Sequence, residues 1–422
     1  MATIIQRLPI AEQLAAIRRG SEKILPDEAA LRTLMERAEA EGRPLRVKLG
    51  IDPTTHDLTL GHTIPLRNLR RFQILGHQAV LVIGDYTATV GDPSGRSKAR
   101  PPLTHEQVRA NAETFREQAG KILDLEHAEV VWNSEWLSKL TLKELIRICG
   151  QVSVKRMLQG EYFGRRMEDP EQTIFMHELF YPIMQGMDSV AIRADVELGG
   201  TDQEFNCLMG RDMQRQHSQA PQLVVTNPLL RGLSGNEKMS KSLDNYVGVA
   251  WPAQEQFNRL MTMADDRMAE YYRLLTDVPL EDVERGLAAV RSGERDPRDA
   301  KKDLVTHIVA GLHGERVAAT MAEDYERYAQ LRRAGGAASE LPTNIREETL
   351  AVGPGGVRLT SVLTTTGLAG SGGEAKRLIE QRGVRVLGEV VADKNAVLKP
   401  GEVEGALLQV GQKPPVLLRE AP

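Results

Sequence analysis

Between residues 46 and 230, short apolar runs alternate with stretches of helical periodicity, and this alternation restricts the possible folds more than any other property of the chain. The run at 79–85, AVLVIGD, is continuous in apolar residues rather than alternating, as expected for a strand covered on both faces of a parallel sheet. Val47, Leu49 and Ile51 make a shorter strand that ends at Asp52-Pro53-Thr54. EVVWN at 129–133 and QLVVTN at 222–227 are two more, and DSVAIRADVELGG at 188–200 contains another. Between the first two strands, Ile64, Leu66, Leu69, Phe72 and Leu75 recur at helical spacing from about Leu60 until Gly76. Thr104 with Gln107, and Thr141 with Glu144, have the spacing of capping boxes that open helices. The pattern predicts an α/β domain with a Rossmann-like, doubly wound parallel sheet. Such sheets bind ligands outside the carboxyl ends of their strands. The segments at Asp52, Asp92 and Gly199 all follow predicted strands directly.

The remaining chain reads differently. Residues 11–19 and 28–41 are helical in pattern, and 250–330 is helical throughout. Small residues at 334–343 predict a linker. In the last seventy residues, Ser371 and Glu374 predict a capping box on a helix reaching Gln381, followed by two short strands around Leu387-Gly388. A length of 422 residues suits two to three domains. The expected layout is a sheet domain over 1–230 with an insertion near 126–164, a loop and all-helical domain over 231–333, a linker over 334–350, and a small α+β domain over 351–422. The net charge of −4 excludes a uniformly basic nucleic-acid binder, so any RNA contact must be local. Residues 351–422 hold nine Lys/Arg against seven Asp/Glu, with Lys376, Arg377, Arg382 and Arg385 clustered. Two cysteines, Cys149 and Cys207, are too few for a metal cluster and suit a reducing, cytoplasmic setting. The first ten residues lack the apolar stretch of a signal peptide, and no apolar run is long enough to predict a membrane span.

Four segments carry the chemistry. Lys238-Met239-Ser240-Lys241-Ser242 is polar and glycine-flanked, and can set two ammonium groups and hydroxyl donors around a polyphosphate. Thr59-Leu60-Gly61-His62 opens a helix whose unpaired N–H groups and dipole favour an anion. Gly61 lets a nucleotide approach the backbone, and His62 can donate to a phosphate oxygen. Gly199-Gly200-Thr201-Asp202 is a turn with an acidic end. Tyr181, Gln185 and Asp188, four and then three apart, share one helix face.

DPTTHDLTLGH, GDPSGRSKAR, YPIMQGMD, ELGGTDQEFN, EKMSKSLDN and GGEAKRLIEQRGVRVLGEVV occur in that order over essentially the whole chain. Together they resemble the bacterial tyrosyl-tRNA synthetases, a family of class I aminoacyl-tRNA synthetases. The resemblance implies activation of L-tyrosine by ATP, with Mg²⁺ accompanying the ATP and no dedicated protein metal site, then transfer to tRNA(Tyr). It implies that Thr54, His62, Arg96, Arg100, Lys238 and Lys241 act on the phosphates. Thr59, Gly61, His62, Gly200, Asp202, Lys238, Met239 and Lys241 would hold ATP, with Asp202 on the ribose. Asp52, Asp92, Tyr181, Gln185, Asp188 and Gln203 would hold tyrosine, with Asp188 accepting the phenol proton. Lys376, Arg377, Arg382 and Arg385 would contact RNA, and a homodimer would form through 126–164. Three positions depart from the family pattern: Thr59 where many members have histidine, Arg96 where lysine is frequent, and Lys48 where the better-known branch has a tyrosine. A tryptophan-specific synthetase, a small-molecule adenylyltransferase and a non-catalytic RNA-binding protein are the rival readings.

Overall fold

The structure, a computed structural model, describes residues 8–94, 103–333, 345–411, 413 and 415–421. Packing divides the chain into two compact units, Met1–His313 and Gly314–Pro422.

The first unit is built on a six-stranded sheet: β1 (Lys23–Leu25), β2 (Arg46–Ile51), β3 (Gln78–Ile83), β4 (Glu129–Trp132), β5 (Val196–Gly200) and β6 (Leu223–Asn227). The spatial order is β1-β6-β5-β2-β3-β4. Five strands are parallel, with Leu49 paired to Leu81 on one side and to Leu198 on the other. Chain order reverses between β5 and β2, which opens a crevice at their carboxyl ends. The parallel sheet expected from sequence is thus present, with one correction. The edge strand β1 runs antiparallel to β6, so the sheet is mixed. Three residues, KIL, are too few to show any periodicity. The strand expected within 188–200 is Val196–Gly200, and the residues before it finish the helix Met176–Ile192.

Helices cover both faces because β3 and β6 are buried almost throughout. The helix Leu60–Ile74 turns Leu60, Ile64, Leu66, Leu69 and Phe72 inward. The boxes at Thr104 and Thr141 form as expected. Beyond the sheet come the helices Ala253–Leu260, Met268–Leu275, Leu280–Ser292 and Pro297–His313, matching the helical pattern after residue 250.

The second unit opens with the helix Glu315–Arg333. Its five-stranded sheet packs against the helices Leu359–Thr365 and Gly372–Glu380 around Leu363, Ile379, Val384 and Leu408. The strand Arg346–Leu350 joins this sheet, parallel to Val416–Glu420, although its sequence reads as linker. Residues 334–343, expected to be the linker proper, lie outside the described residues. Ser371 caps its helix, but the Glu374 carboxylate accepts from Gly370 N–H instead of closing the box on Ser371. Among the described residues no helix is long and apolar enough to cross a membrane.

Candidate active site

The parallel strands deliver Asp52, Asn133, Asp202 and the Gly84 turn to their carboxyl ends. At the start of the helix Leu60–Ile74, Thr59 is the N-cap and is buried. Its backbone N–H donates to His62 Nδ1 at 3.1 Å, and its hydroxyl lies 2.8 Å from the same nitrogen. A ring nitrogen that accepts the backbone proton leaves the other, Nε2, to carry the ring hydrogen in the neutral tautomer. Thr59 therefore orients His62 as a donor and does not offer its own hydroxyl outward. An added Cβ on Gly61 would meet Thr59 Oγ1, Leu230 and Met239 at 3.5–4.0 Å, ordinary contact distances. Protein packing alone does not demand glycine at this position.

The 238–242 loop approaches the same end. Met239 is buried and its N–H donates to Leu230 O at 2.7 Å, which anchors the loop between its two lysines. Lys238 Nζ donates to Asp202 Oδ2 at 3.2 Å, and Lys241 Nζ donates to Thr55 Oγ1 at 2.5 Å. Both ammonium groups are thus held at the carboxyl end of the sheet, by residues that follow two different strands. Gly200 fits because a Cβ would fall 2.6 Å from Asp202 Oδ1.

Gln203, next to Asp202 in the chain, connects this cationic loop to a cluster of carboxylates. Tyr181 donates its phenol proton to Asp52 Oδ2 at 2.9 Å, and Thr87 donates to Asp52 Oδ1 at 2.8 Å. Burial, then Asp52, pushes the Tyr181 phenol well above its ordinary range, so it stays protonated. Asp92 accepts from Ser94 N–H at 2.9 Å and from Gln203 Nε2 at 2.7 Å. Asn206 joins this group, and Tyr162 donates to Asn206 Oδ1 at 2.8 Å. Burial raises the Asp92 carboxyl despite these donors. Asp188, 4% exposed, accepts from Trp136 Nε1 at 2.8 Å and from Asn133 Nδ2 at 3.3 Å. Burial pushes its carboxyl up to about 6, against the lowering effect of Lys48 and of its two donors. Three carboxylates, Asp52, Asp92 and Asp188, thus gather around the strand ends, each accepting hydrogen bonds from neighbouring side chains.

Of the residues expected from sequence, the structure joins Asp52 with Tyr181, Asp92 with Gln203, Asp202 with Lys238, and Thr59 with His62. Gln185 instead donates to Glu197 at 3.1 Å, below the pocket. Thr54 sits in the turn after β2, its N–H donating to Asp52 O. Arg96 and Arg100 lie outside the described residues. In the second unit Lys376, Arg377, Arg382 and Arg385 are all exposed. Trp136, Asn133, Asn206, Tyr162 and Glu197 were not anticipated. A signal existed for two of them: Asn133 directly follows a strand, where ligands gather, and Trp136 lies one turn beyond.

Comparison with known proteins bears on this geometry. The model of the family "tRNA synthetases class I (W and Y)" matches residues 40–329, and that of the S4 domain matches 357–403. A tyrosine–tRNA ligase of Symbiobacterium thermophilum is 48% identical, covering 94% of this chain and 95% of the relative. One of Geobacter metallireducens is 46% identical, covering 96% and 98%. Among solved structures, tyrosyl-tRNA synthetase of Archaeoglobus fulgidus complexed with L-tyrosine is similar, with a TM-score of 0.60. It is 21% identical, covering 74% of this chain and 99% of its own, a likeness of fold alone. The truncated mitochondrial tyrosyl-tRNA synthetase of Coccidioides posadasii is similar to the same degree, with a TM-score of 0.60, 23% identity, and coverage of 74% and 91%.

Proposed function

The chain belongs to the class I tRNA synthetases of the tryptophan and tyrosine group, and from that premise we propose that it is a tyrosine–tRNA ligase whose specificity rests on Asp188. The observation that carries the reading is a buried carboxylate, held by Trp136 and Asn133, and linked through Asn133 and Thr87 to Asp52 at the end of β2. A phenol donates to such a carboxylate; phenylalanine leaves it buried without that partner, which is unfavourable.

The substrates are L-tyrosine, ATP and tRNA(Tyr), and Mg²⁺ enters with the ATP on its phosphates. Asp92, with Gln203 and Tyr181 beside it, holds the α-ammonium group, while Asp52 fixes Tyr181. The tyrosine carboxylate attacks the α-phosphorus, forming tyrosyl-adenylate and releasing pyrophosphate. This displacement needs alignment and charge stabilisation more than covalent help from the protein. Lys238, Lys241 and His62 supply positive charge and a donor where negative charge grows on the departing pyrophosphate, with Thr54, Arg96 and Arg100 assigned to the same phosphates. Asp202 takes the ribose, and the small residues Gly61 and Gly200 leave room for the nucleotide. In the second step the terminal ribose hydroxyl of tRNA attacks the acyl carbon, and AMP departs. Lys376, Arg377, Arg382 and Arg385 contact the RNA backbone from the S4 domain.

We assign the protein to the cytoplasm, where both cysteines remain thiols, as they are in this structure. We also infer a homodimer. Leu142, Ile146, Val154, Met167, Phe175 and Met176 are each more than half exposed, an apolar set of the kind that marks an interface. The test of the activity is pyrophosphate exchange into ATP with each of the twenty amino acids, without tRNA. Exchange with tyrosine alone is expected. Exchange with tryptophan instead, or with none, would overturn the assignment.

A further inference from the structure

Below the pocket, Lys48 of β2 is wholly buried together with Glu197 of β5, at 0% and 1% side-chain exposure, their charged atoms 2.7 Å apart. Two charges without water are unfavourable unless every donor and acceptor is met, and here they are. Lys48 Nζ donates to Glu197, to Ser189 Oγ at 2.9 Å and to the Gln185 carbonyl at 2.9 Å. Glu197 also accepts from Gln185 Nε2, from Ser189 Oγ at 3.2 Å and from Gln222. Three of Lys48's and Glu197's partners sit at positions 185 and 189 of the helix Met176–Ile192. That helix also carries Tyr181 and Asp188.

We propose that the Lys48–Glu197 pair is a positioning and specificity element for the amino-acid pocket. It fixes the helix from below at Gln185 and Ser189, so that Asp188 faces the substrate side chain, and its ammonium keeps that carboxylate charged. The inference rests on the tyrosine ligase reading and deepens it. Among the described residues, the charged and titratable groups that bear on Asp188 include Lys48 from β2, Glu197 from β5 and Tyr181 from its own helix, with Asp52 and Asp92 acting on Tyr181. Trp136 and Asn133 supply the neutral contacts. Lys48 lowers the Asp188 carboxyl more than Glu197 raises it, so removing both charges moves it upward. A phenol donates more strongly to a carboxylate than to a neutral acid.

The two roles, holding the fold and setting specificity, separate in a pair of variants. Lys48→Met strands the Glu197 charge and should lower thermal stability. The double variant Lys48→Met/Glu197→Gln removes both charges, keeps an acceptor for Gln185, and should regain much of that stability. In pyrophosphate exchange at neutral pH, both should favour tyrosine over phenylalanine at least about tenfold less than the parent does, the equivalent of losing one charge-assisted hydrogen bond. The pH midpoint of the preference should also rise in both. If the double variant regains parental preference along with stability, the pair is structural only and the inference fails. An unchanged preference and midpoint in both variants also overturns it. Should Lys48→Met fail to fold, the double variant carries the test. Failure of the parent itself to exchange with tyrosine would refute the function assignment, a distinct result.

Discussion

Asp188 ionises near 3.8 in an unfolded chain and near 6 in the folded protein, because burial outweighs its hydrogen bonds. Between those values the folded chain holds a proton that the unfolded chain has released, so stability falls as pH rises from about 4 to 6. At neutral pH the charge stays buried at a net penalty. Asp188→Asn should therefore stabilise the ligand-free protein at pH 7 by about 1–3 kcal/mol, while weakening the preference for tyrosine. Thermal melts and exchange assays on the one variant check both halves; a less stable Asn variant would mean that the hydrogen bonds from Trp136 and Asn133 outweigh the cost of burying the charge. The loop lysines and the Gly-His helix start stand out in the sequence because they are local signals. Glu197 could not, since its importance depends on Lys48, 149 positions away in the chain. Thr59 is another such case: its departure from the family pattern reads as a loss, whereas the fold makes it the group that orients His62.

The helix Met176–Ile192 shows what sequence periodicity conveys at the scale of an element. The four-and-three spacing correctly puts Tyr181, Gln185 and Asp188 on one side, but spacing does not reveal depth. Tyr181 reaches Asp52 and Asp188 reaches Trp136, while Gln185 turns down to Glu197. Earlier in the chain, the helix Leu142–Cys149 is opened by the Thr141 box and leaves Leu142 and Ile146 at 71% and 63% exposure. A helix face of this kind asks for a partner surface. Ile146→Glu should shift the protein from dimer toward monomer in sedimentation at micromolar concentration, with its fold intact by circular dichroism. A parent that sediments as a monomer, or a variant that sediments with the parental dimer, would argue against that interface. The capping-box spacing marked the helix but not its exposed side, because isolated apolar residues are also common on ordinary surfaces.

At the scale of the whole molecule, alternating strands and helices predict the parallel sheet, and the reversal between β5 and β2 explains why residues so distant in sequence converge. The antiparallel edge β1 and the strand Arg346–Leu350 were not legible, since both are short and gain their identity from a partner strand. The second unit has its own core around Ile379 and Leu408, separate from the sheet that holds the pocket. Removing residues 345–422 should accordingly impair tRNA charging severely while leaving pyrophosphate exchange close to parental; equal loss of both would make this part a structural support of the active site. The central claim, that an ionised Asp188 reads the phenol, is tested most directly by kcat/KM for tyrosine over phenylalanine in exchange, measured from pH 5 to 8. That ratio reports the free enzyme, and the account predicts that it falls as pH drops through about 6. A ratio that stays flat across the interval would contradict it.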